Sequence, residues 1–169
     1  MGIKRRQTIL LKSFLIGLFF LVESCNLGVA HMEFVSLDNG VWDKDQEVVF
    51  EFTPKDSTEV YDWYIHLRNT QDYPYSNLYL ITELSTDEGF LKKDTISYTM
   101  ANPDGTWVGN ASGSLVEHKI PLHLQKTFSS TKPHKLTIRQ AMRALGSVQP
   151  LQKLNGISDI GYSIETSEK

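Results

Sequence analysis

Apolar and polar side chains alternate with a period of two residues through most of the chain after residue 33. In one such segment Val48, Phe50 and Phe52 fall on one side, and Glu47 and Glu51 fall on the other. Because successive side chains of a β-strand point to opposite faces, this pattern predicts about eight strands with one buried face each. The other alternating segments are 63–68, 78–84, 95–100, 135–139 and 159–165, with weaker ones at 33–37 and 115–122.

Short runs of Asp, Asn, Pro and Gly separate the alternating segments, at 38–40, 54–57, 87–89 and 103–105. These residues favour tight turns, and the run at 87–89 predicts a hairpin between its neighbouring strands. Only 140–146 has a helical pattern, and it is short. Frequent turns between short strands are typical of antiparallel rather than parallel sheets. The sequence therefore predicts an all-β fold, an antiparallel, jelly-roll-like β-sandwich over residues 33–169.

The N-terminus has a basic start followed by an uncharged apolar run. Lys4, Arg5, Arg6 and Lys12 precede the ten uncharged residues 13–22. A helix that spans a bilayer needs about 20 apolar residues, so the run is too short to be one. A basic start followed by a short apolar core is the pattern of a secretory signal peptide, which we place at residues 1–24. The alternative is a buried N-terminal helix of the folded domain.

The chain has one cysteine, Cys25, and it directly follows this apolar run and Ser24. The arrangement resembles a bacterial lipoprotein cleavage site, where the cysteine receives a diacylglycerol and an N-acyl chain. Residues 25–32 would then be a lipidated tether, and the mature chain would carry 13 basic and 19 acidic side chains, a net charge of −6. Several acyl chains give stable membrane attachment. The alternative is a free cysteine in a linker behind an ordinary cleaved signal.

Sequence motifs of common catalytic sites are absent. The chain has no Gly-x-Ser-x-Gly, no phosphate-binding glycine loop and no His-Glu-x-x-His. We therefore expect no enzyme, no cofactor beyond the covalent lipid, and no metal. Asp38, Asp43 and Asp45 could bind calcium, but they lack the twelve-residue EF-hand spacing, which favours a solvated turn instead. The chain has no block of five or six like charges, so we expect no nucleic-acid partner.

Aromatic residues in two polar loops are the candidate binding residues. Tyr and Trp in loops can stack on sugars or anchor a protein partner. Alternatively, such rings pack over the end of the sandwich and close it. The candidate partner or sugar contacts are Arg68, Asn69, Asp72, Tyr73, Tyr75 and Trp107.

Six strings of the sequence, in their order and spacing, resemble the gliding-motility lipoprotein GldH family of the Bacteroidetes. Together with the signal peptide and the cleavage site, the resemblance covers nearly the whole chain. The strings lie at 67–70, 72–80, 94–96, 100–109, 140–143 and 156–161, and they include Asp-Tyr-Pro-Tyr-Ser-Asn-Leu-Tyr-Leu and Met-Ala-Asn-Pro-Asp-Gly-Thr-Trp-Val-Gly.

The resemblance implies a lipid-anchored envelope protein associated with gliding motility machinery, and it implies no catalytic residues. Family members also occur in bacteria that do not glide, so a broader envelope role stays open. The residues after Cys25 lack the acidic cluster that resembles a surface-export signal in this phylum, which favours an outer-membrane protein that faces the periplasm. We expect it to act through contacts with envelope proteins; the alternative is a carbohydrate-binding module.

Two short segments also match the O-glycosylation motif of the Bacteroidetes, an Asp followed by Ser or Thr and then an apolar residue or Thr. They place possible glycans on Ser57 and Thr95. The alternative is an ordinary turn at Ser57 and an ordinary strand start at Thr95.

Overall fold

The computed structural model describes residues 28–128 and 131–167. Within these residues the fold is all-β, and every strand pairing is antiparallel. None of these residues forms a helix long and apolar enough to cross a membrane. The strands are β1 (Val29–Ser36), β2 (Val41–Asp43), β3 (Val48–Phe52), β4 (Tyr61–Thr70), β5 (Asn77–Thr86), β6 (Gly89–Thr99), β7 (Asn110–Ser112), β8 (Leu115–Lys126), β9 (His134–Gln140), β10 (Lys153–Asn155) and β11 (Ile157–Thr166).

Two sheets pack face to face and form the sandwich. The larger sheet has five strands in the order β1-β11-β4-β8-β7, and the smaller has four in the order β3-β9-β5-β6. Rings from the two sheets meet between them: Phe50 of β3 lies 4.8 Å from Tyr162 of β11, measured between ring centroids. A two-stranded ribbon of β2 and β10 lies beside them. The predicted all-β antiparallel sandwich is confirmed.

The alternation in the sequence is what builds the core. In β3, Val48, Phe50 and Phe52 are buried, whereas Val49 and Glu51 are exposed. Each inward face therefore removes apolar surface from water, the main favourable contribution to folding. All eight predicted strands are present. The three strands that the sequence did not reveal, β2, β7 and β10, have three residues each, too few for alternation to show.

The sandwich has two ends, which we name by the residues that meet there. Ten residues of β4 separate them, a distance of about 30 Å. At the basal end, Tyr61 pairs with Lys126 and Thr166. At the distal end, Thr70 pairs with Leu115 and Asn69 pairs with Ile157. Everything between these rows belongs to the sandwich body.

The predicted helix at 140–146 is wrong. Gln140 is the last residue of β9, and the segment after it extends the sheet edge and then turns. The Ala141 N–H donates to the carbonyl of Tyr79, and the Met142 N–H donates to the side chain of Gln140. The Met142 carbonyl accepts from the Leu151 N–H at 2.8 Å, so it does not accept from residue 146 as a helix would require. Gly146 has a positive φ of 78°, which a tight turn requires.

The N-terminal predictions are only partly within the described residues. The signal peptide, 1–24, and Cys25 lie outside them. The first strand begins at Val29, so residues 29–32 of the expected tether pair with β11 instead of bridging to the domain. The hairpin predicted at 87–89 is confirmed, because it joins the paired strands β5 and β6.

We predict that Gly156→Ala destabilises the protein by about 2–4 kcal/mol. Gly156 has a positive φ of 87°, and a Cβ there would lie 2.6 Å from the backbone of Tyr73. Neither backbone can move without breaking the pairing of β11 with β4. Urea unfolding monitored by circular dichroism measures the change.

The matched control is Gly113→Ala. Gly113 also has a positive φ, 62°, but a Cβ there meets no atom within 4 Å. It should therefore cost only the backbone strain, about 1–2 kcal/mol. Equal losses in the two variants would show that the contact with Tyr73 is not limiting.

Candidate functional site at the distal end

The distal end brings together most of the residues that the sequence singled out. Asn69 lies at the end of β4, and Tyr73 and Tyr75 lie in the loop that follows. Trp107 comes from the loop between β6 and β7. The Tyr73 ring is 5.8 Å from that of Tyr75 and 6.3 Å from that of Trp107, and His118 of β8 lies beside them.

The three rings pack on one another and on the core. Tyr73 is 3% exposed, and its hydroxyl donates to the carbonyl of Asn77 at 2.7 Å. Tyr75 and Trp107 are half-buried against the core cluster, and the Trp107 indole N–H donates to Gln71 at 2.9 Å. The rings therefore cover the end of the sandwich and do not form an open stacking platform.

A buried polar pair lies beneath this cap. The His118 Nε2 is 3.0 Å from Oδ1 of Asn69, and both side chains are fully buried. The Asn69 amide nitrogen donates to the Thr70 carbonyl, so its oxygen is left to accept from the ring. Burial lowers the pKa of His118 to about 4, so the ring is neutral at pH 7. A Cβ on Gly109 would lie 2.8 Å from this ring, which explains the glycine.

The two remaining candidates do not join the rings. Arg68 lies on the outer face of the larger sheet, where it donates to Glu117 at 2.8 Å and covers the ring of Phe34 at 4.1 Å. Asp72 is exposed, and only its backbone N–H is engaged, with the Thr70 hydroxyl. The six candidates are therefore one cap of four residues, one ion-paired arginine and one free surface carboxylate.

Four of the strings that carry the family resemblance meet in this cap. The string 67–70 supplies Asn69, 72–80 supplies Tyr73, 100–109 supplies Trp107 and Gly109, and 156–161 supplies Gly156. The Thr70 N–H donates to the Gly156 carbonyl at 2.9 Å, which ties the first string to the last. The strings are thus parts of one structural unit.

Sequence reasoning missed an exposed apolar loop beside the cap. Leu145 is fully exposed, and Val148 is 80% exposed. The loop is held in place by an isolated bridge between Arg143 and Pro150 and by the Gln140 side chain, which donates to the Leu151 carbonyl. The helix predicted at 140–146 gives no indication of this exposed loop.

A groove of about 340 Å³ adjoins the base of this loop on the outer face of the smaller sheet. Tyr79 and Ile81 of β5 form one wall, and Met142 and Arg143 form the other. Tyr79 is 39% exposed. The distal end therefore has two neighbouring features, the exposed loop and the groove, which the alternation alone could not show.

One cluster on the outer face of the larger sheet has the residue types of a catalytic triad. The Ser163 Oγ is 2.9 Å from Nε2 of His66, and Nδ1 of His66 is 3.5 Å from Glu117. Ser163 is completely buried in the middle of β11, however, and its hydroxyl also donates to Glu165. The strand places its backbone N–H groups in the ladder, where they cannot stabilise an oxyanion. The cluster is therefore a buried polar contact between strands.

The other predicted sites lie apart from the cap. No group of three or more potential metal ligands occurs among residues 28–128 and 131–167. Asp43 accepts from the Asp45 backbone, and Asp45 pairs with Lys44, as expected for a solvated turn. Ser57 is half-exposed in the loop after β3, and Thr95 is exposed on β6. Glycosylation of these two residues stays a prediction.

We predict that the protein loses stability as the pH falls from about 6.5 to about 4. The folded-state pKa of His118 is about 4, below its ordinary value of 6.5, so the unfolded state takes up the proton first. Burial also lowers the pKa values of His66 and His123, in the same direction. His118 alone contributes a loss of about 3 kcal/mol. Urea unfolding at about pH 7 and about pH 4.5 measures it.

The same measurement on His118→Gln should give a weaker dependence on pH, because glutamine does not titrate. If both proteins lost the same stability over this range, His118 would not be the residue responsible.

Comparison with known proteins gives a consistent family. The sequence model of the GldH lipoprotein family matches residues 30–164. A gliding motility lipoprotein GldH homolog of Christiangramia forsetii is 40% identical over 148 residues, which cover 88% of this chain and 90% of that protein. The gliding motility lipoprotein GldH of Flavobacterium johnsoniae is 36% identical over 148 residues, which cover 88% of this chain and 91% of that one.

Solved structures are more distant. An arabinose-bound α-L-arabinofuranosidase aligns with 78% of this chain and 18% of its own, at 14% identity and a TM-score of 0.36. A likeness of that size supports no conclusion. The match over residues 30–164 and the two relatives at 36% and 40% identity do support one, and it agrees with the resemblance in the sequence: the chain belongs to the GldH lipoprotein family.

Proposed function

We propose that this protein is a lipid-anchored, non-enzymatic component of the cell envelope, associated with gliding motility machinery, that acts through contacts with other proteins. The relatives' names, gliding motility lipoprotein, support the anchor and the process. The lipid would be attached to Cys25. The outer membrane, with the domain facing the periplasm, is the location that the residues after Cys25 favour.

The observation that carries this proposal is the orientation of the sandwich, with one end close to Cys25 and the other far from it. Gly28, the first described residue, lies at the basal end, where its carbonyl accepts from Thr166 at 2.7 Å. Three peptide steps separate it from Cys25, so the basal end lies within about 10 Å of a lipid on that cysteine. The distal end then points away from the membrane by the length of the strands.

The distal end is where partner contacts are best supported. Leu145 and Val148 are exposed there, next to the groove lined by Tyr79 and Met142. Exposed apolar surface of this kind, rimmed by polar residues, is typical of protein interfaces. The mature chain's net charge of −6 disfavours close contact with an anionic leaflet and favours a partner with a basic surface.

Carbohydrate binding through Tyr73, Tyr75 and Trp107 receives no such support. A stacking platform needs rings that face solvent together. Here Tyr73 is buried, and the other two rings pack against the core. We therefore do not carry this alternative further.

We predict that Cys25→Ala releases the protein from the membrane. In a Bacteroidetes host, wild-type protein should sediment with membranes and carry a lipid-sized mass addition on its N-terminal peptide, because several acyl chains hold it there. The variant should be soluble or unprocessed. Intact-mass measurement and membrane fractionation test this. If wild type and variant behaved alike, the lipid anchor would be excluded.

We predict that Leu145→Ser combined with Val148→Ser reduces recovery of envelope partners at least about tenfold in a pull-down from gently solubilised membranes. Both side chains are exposed, so the thermal stability should stay within about 0.5 kcal/mol of wild type. Phe90→Ser is the control, because Phe90 is also apolar and exposed but lies on the hairpin at the basal end. If the control and the double variant reduced recovery equally, the distal end would not be the contact surface.

A further inference from the structure

The edge strand β6 has an unoccupied side. Among the described residues β6 pairs with β5 alone, so the backbone N–H and C=O groups along its other side have no strand partner. It is eleven residues long. The edges on the opposite side of the sandwich, β1 and β3, lie in contact with each other and close that side. From this asymmetry we propose that β6 receives an extended segment of another envelope protein as an additional strand; this rests on the proposed function, since it names one of the protein contacts.

Half of β6 carries the features by which edge strands avoid unwanted pairing, and the other half does not. Leu91 is an extra residue in the pairing with β5, since Ser85 pairs with Phe90 and Leu84 pairs with Lys92. A bulge of this kind twists an edge, and lysines on an edge also oppose pairing. Both devices end at Lys93. Residues 94–99 have neither, and they contain no Pro and no Gly.

Asp94, the one charge in this unprotected half, is already engaged within the protein. Its Oδ2 is 2.9 Å from the Lys92 ammonium and 3.7 Å from the His123 ring. The remaining residues, 95–99, are Thr, Ile, Ser, Tyr and Thr. Four of the five, all but the serine, favour strands, and none is charged. The distal half of β6 therefore offers hydrogen-bonding groups without a charge that would repel an incoming strand.

The side chains at this edge leave the core partly uncovered. Ile96 and Tyr98 point inward and are half-buried against the core, as is Leu122 of β8. β8 lies across from β6, because the His118 ring is 3.4 Å from the Tyr98 hydroxyl. β7 pairs with β8 only at residues 115–117, so the larger sheet is also open alongside 94–99. An added strand would cover these side chains.

The pattern of β6 defines the segment that fits it. Successive residues of an added strand face opposite sides of the sheet, so every second residue would meet Ile96, Tyr98 and Leu122 and should be apolar. The residues between them would lie beside the exposed side chains of Thr95 and Ser97 and should be small or polar. The expected partner is a neutral, extended peptide segment with alternating apolar residues.

A second copy of this chain does not fit in the same membrane. Two identical edges pair by a two-fold axis, which makes the two β6 strands antiparallel. Because β6 runs from the basal to the distal end, antiparallel pairing turns one copy upside down. Its basal end would then point away from the bilayer that anchors the other copy. The strand must therefore come from a different protein.

Hydrogen exchange of the full lipidated protein tests the proposal. The peptide covering 92–100 is compared in native membranes and in purified, detergent-solubilised protein. An added strand should slow exchange of this peptide in membranes at least about tenfold, because it forms new backbone hydrogen bonds. The peptide covering 134–140 of the interior strand β9 serves as internal reference and should not change. Equal exchange of 92–100 in both samples would overturn the proposal, as would a cross-linked dimer joined through β6.

Thr95→Pro and Ile96→Pro, made separately, test whether bonds to the free edge of β6 cause the slower exchange of 92–100 in membranes. Adjacent N–H groups on an antiparallel strand point to opposite sides, so one substitution removes a bond to β5 and the other removes only a free donor. Proline is tolerated on an edge in the second case. That variant should keep its fold and lose the protection in membranes; protection that survived in a folded edge-side variant would overturn the proposal.

If both proline substitutions unfold the domain, a side-chain variant tests whether another strand is added to β6. Thr95→Lys with Ser97→Lys extends the lysines of the basal half along the edge, and both positions are exposed. Thr137→Lys on β9, on the same outer face but two strands from the edge, is the control. Loss of protection only in the double variant supports the proposal, and equal behaviour overturns it. If the Leu145 and Val148 variant loses its partners while 92–100 exchanges equally in both samples, only the β6 proposal fails.

Discussion

Packing of two apolar sheet faces is the interaction on which the rest of this structure depends. It requires apolar side chains at every second residue, as in β3 and β9, and it sends the intervening polar side chains outward. Polar groups that remain between the sheets must then be hydrogen-bonded, as His118 is to Asn69. The same packing leaves the two ends of the sandwich to be closed by loops. Tyr73, Tyr75 and Trp107 close the distal end.

The sequence predicts well what depends on local periodicity. Alternation located β3, β4 and β5, and turn chemistry located the hairpin at 87–89. It failed where tertiary bonds decide the local structure. The segment 140–146 has a helical pattern, but the Ala141 N–H pairs with the Tyr79 carbonyl at the sheet edge, and the Leu151 N–H takes the Met142 carbonyl that a helix would use. Residues 29–32 have no strong alternation, yet they pair with β11, because pairing on an edge needs backbone groups rather than a side-chain pattern.

The candidate site was predictable in its residues and not in their orientation. Sequence composition marks Tyr73 and Trp107 as aromatic residues in polar loops, but the burial of Tyr73 depends on the close approach of Gly156, which is distant in sequence, and the packing of His118 beside Trp107 depends on Gly109. Ser163 and His66 are 97 residues apart, so their contact was invisible before the register of β11 with β4 was known. The exposure of Leu145 was equally invisible, because the helical pattern at 140–146 does not show which side chains face solvent.

The proposed lipid anchor determines how the protein can use its asymmetry, an open edge at β6 and a closed side at β1 and β3. A sandwich free in solution could use any edge in any orientation, including pairing with itself. One anchored through a lipid on Cys25, as we propose, would have its β6 edge running outward from the membrane, in reach of proteins that extend from the same surface. Self-pairing would require one copy to leave its anchor, which costs the full energy of lipid insertion. The proposed lipid would therefore exclude pairing of this edge with a second copy in the same membrane, and the residues of β6 would decide which segment of another protein fits.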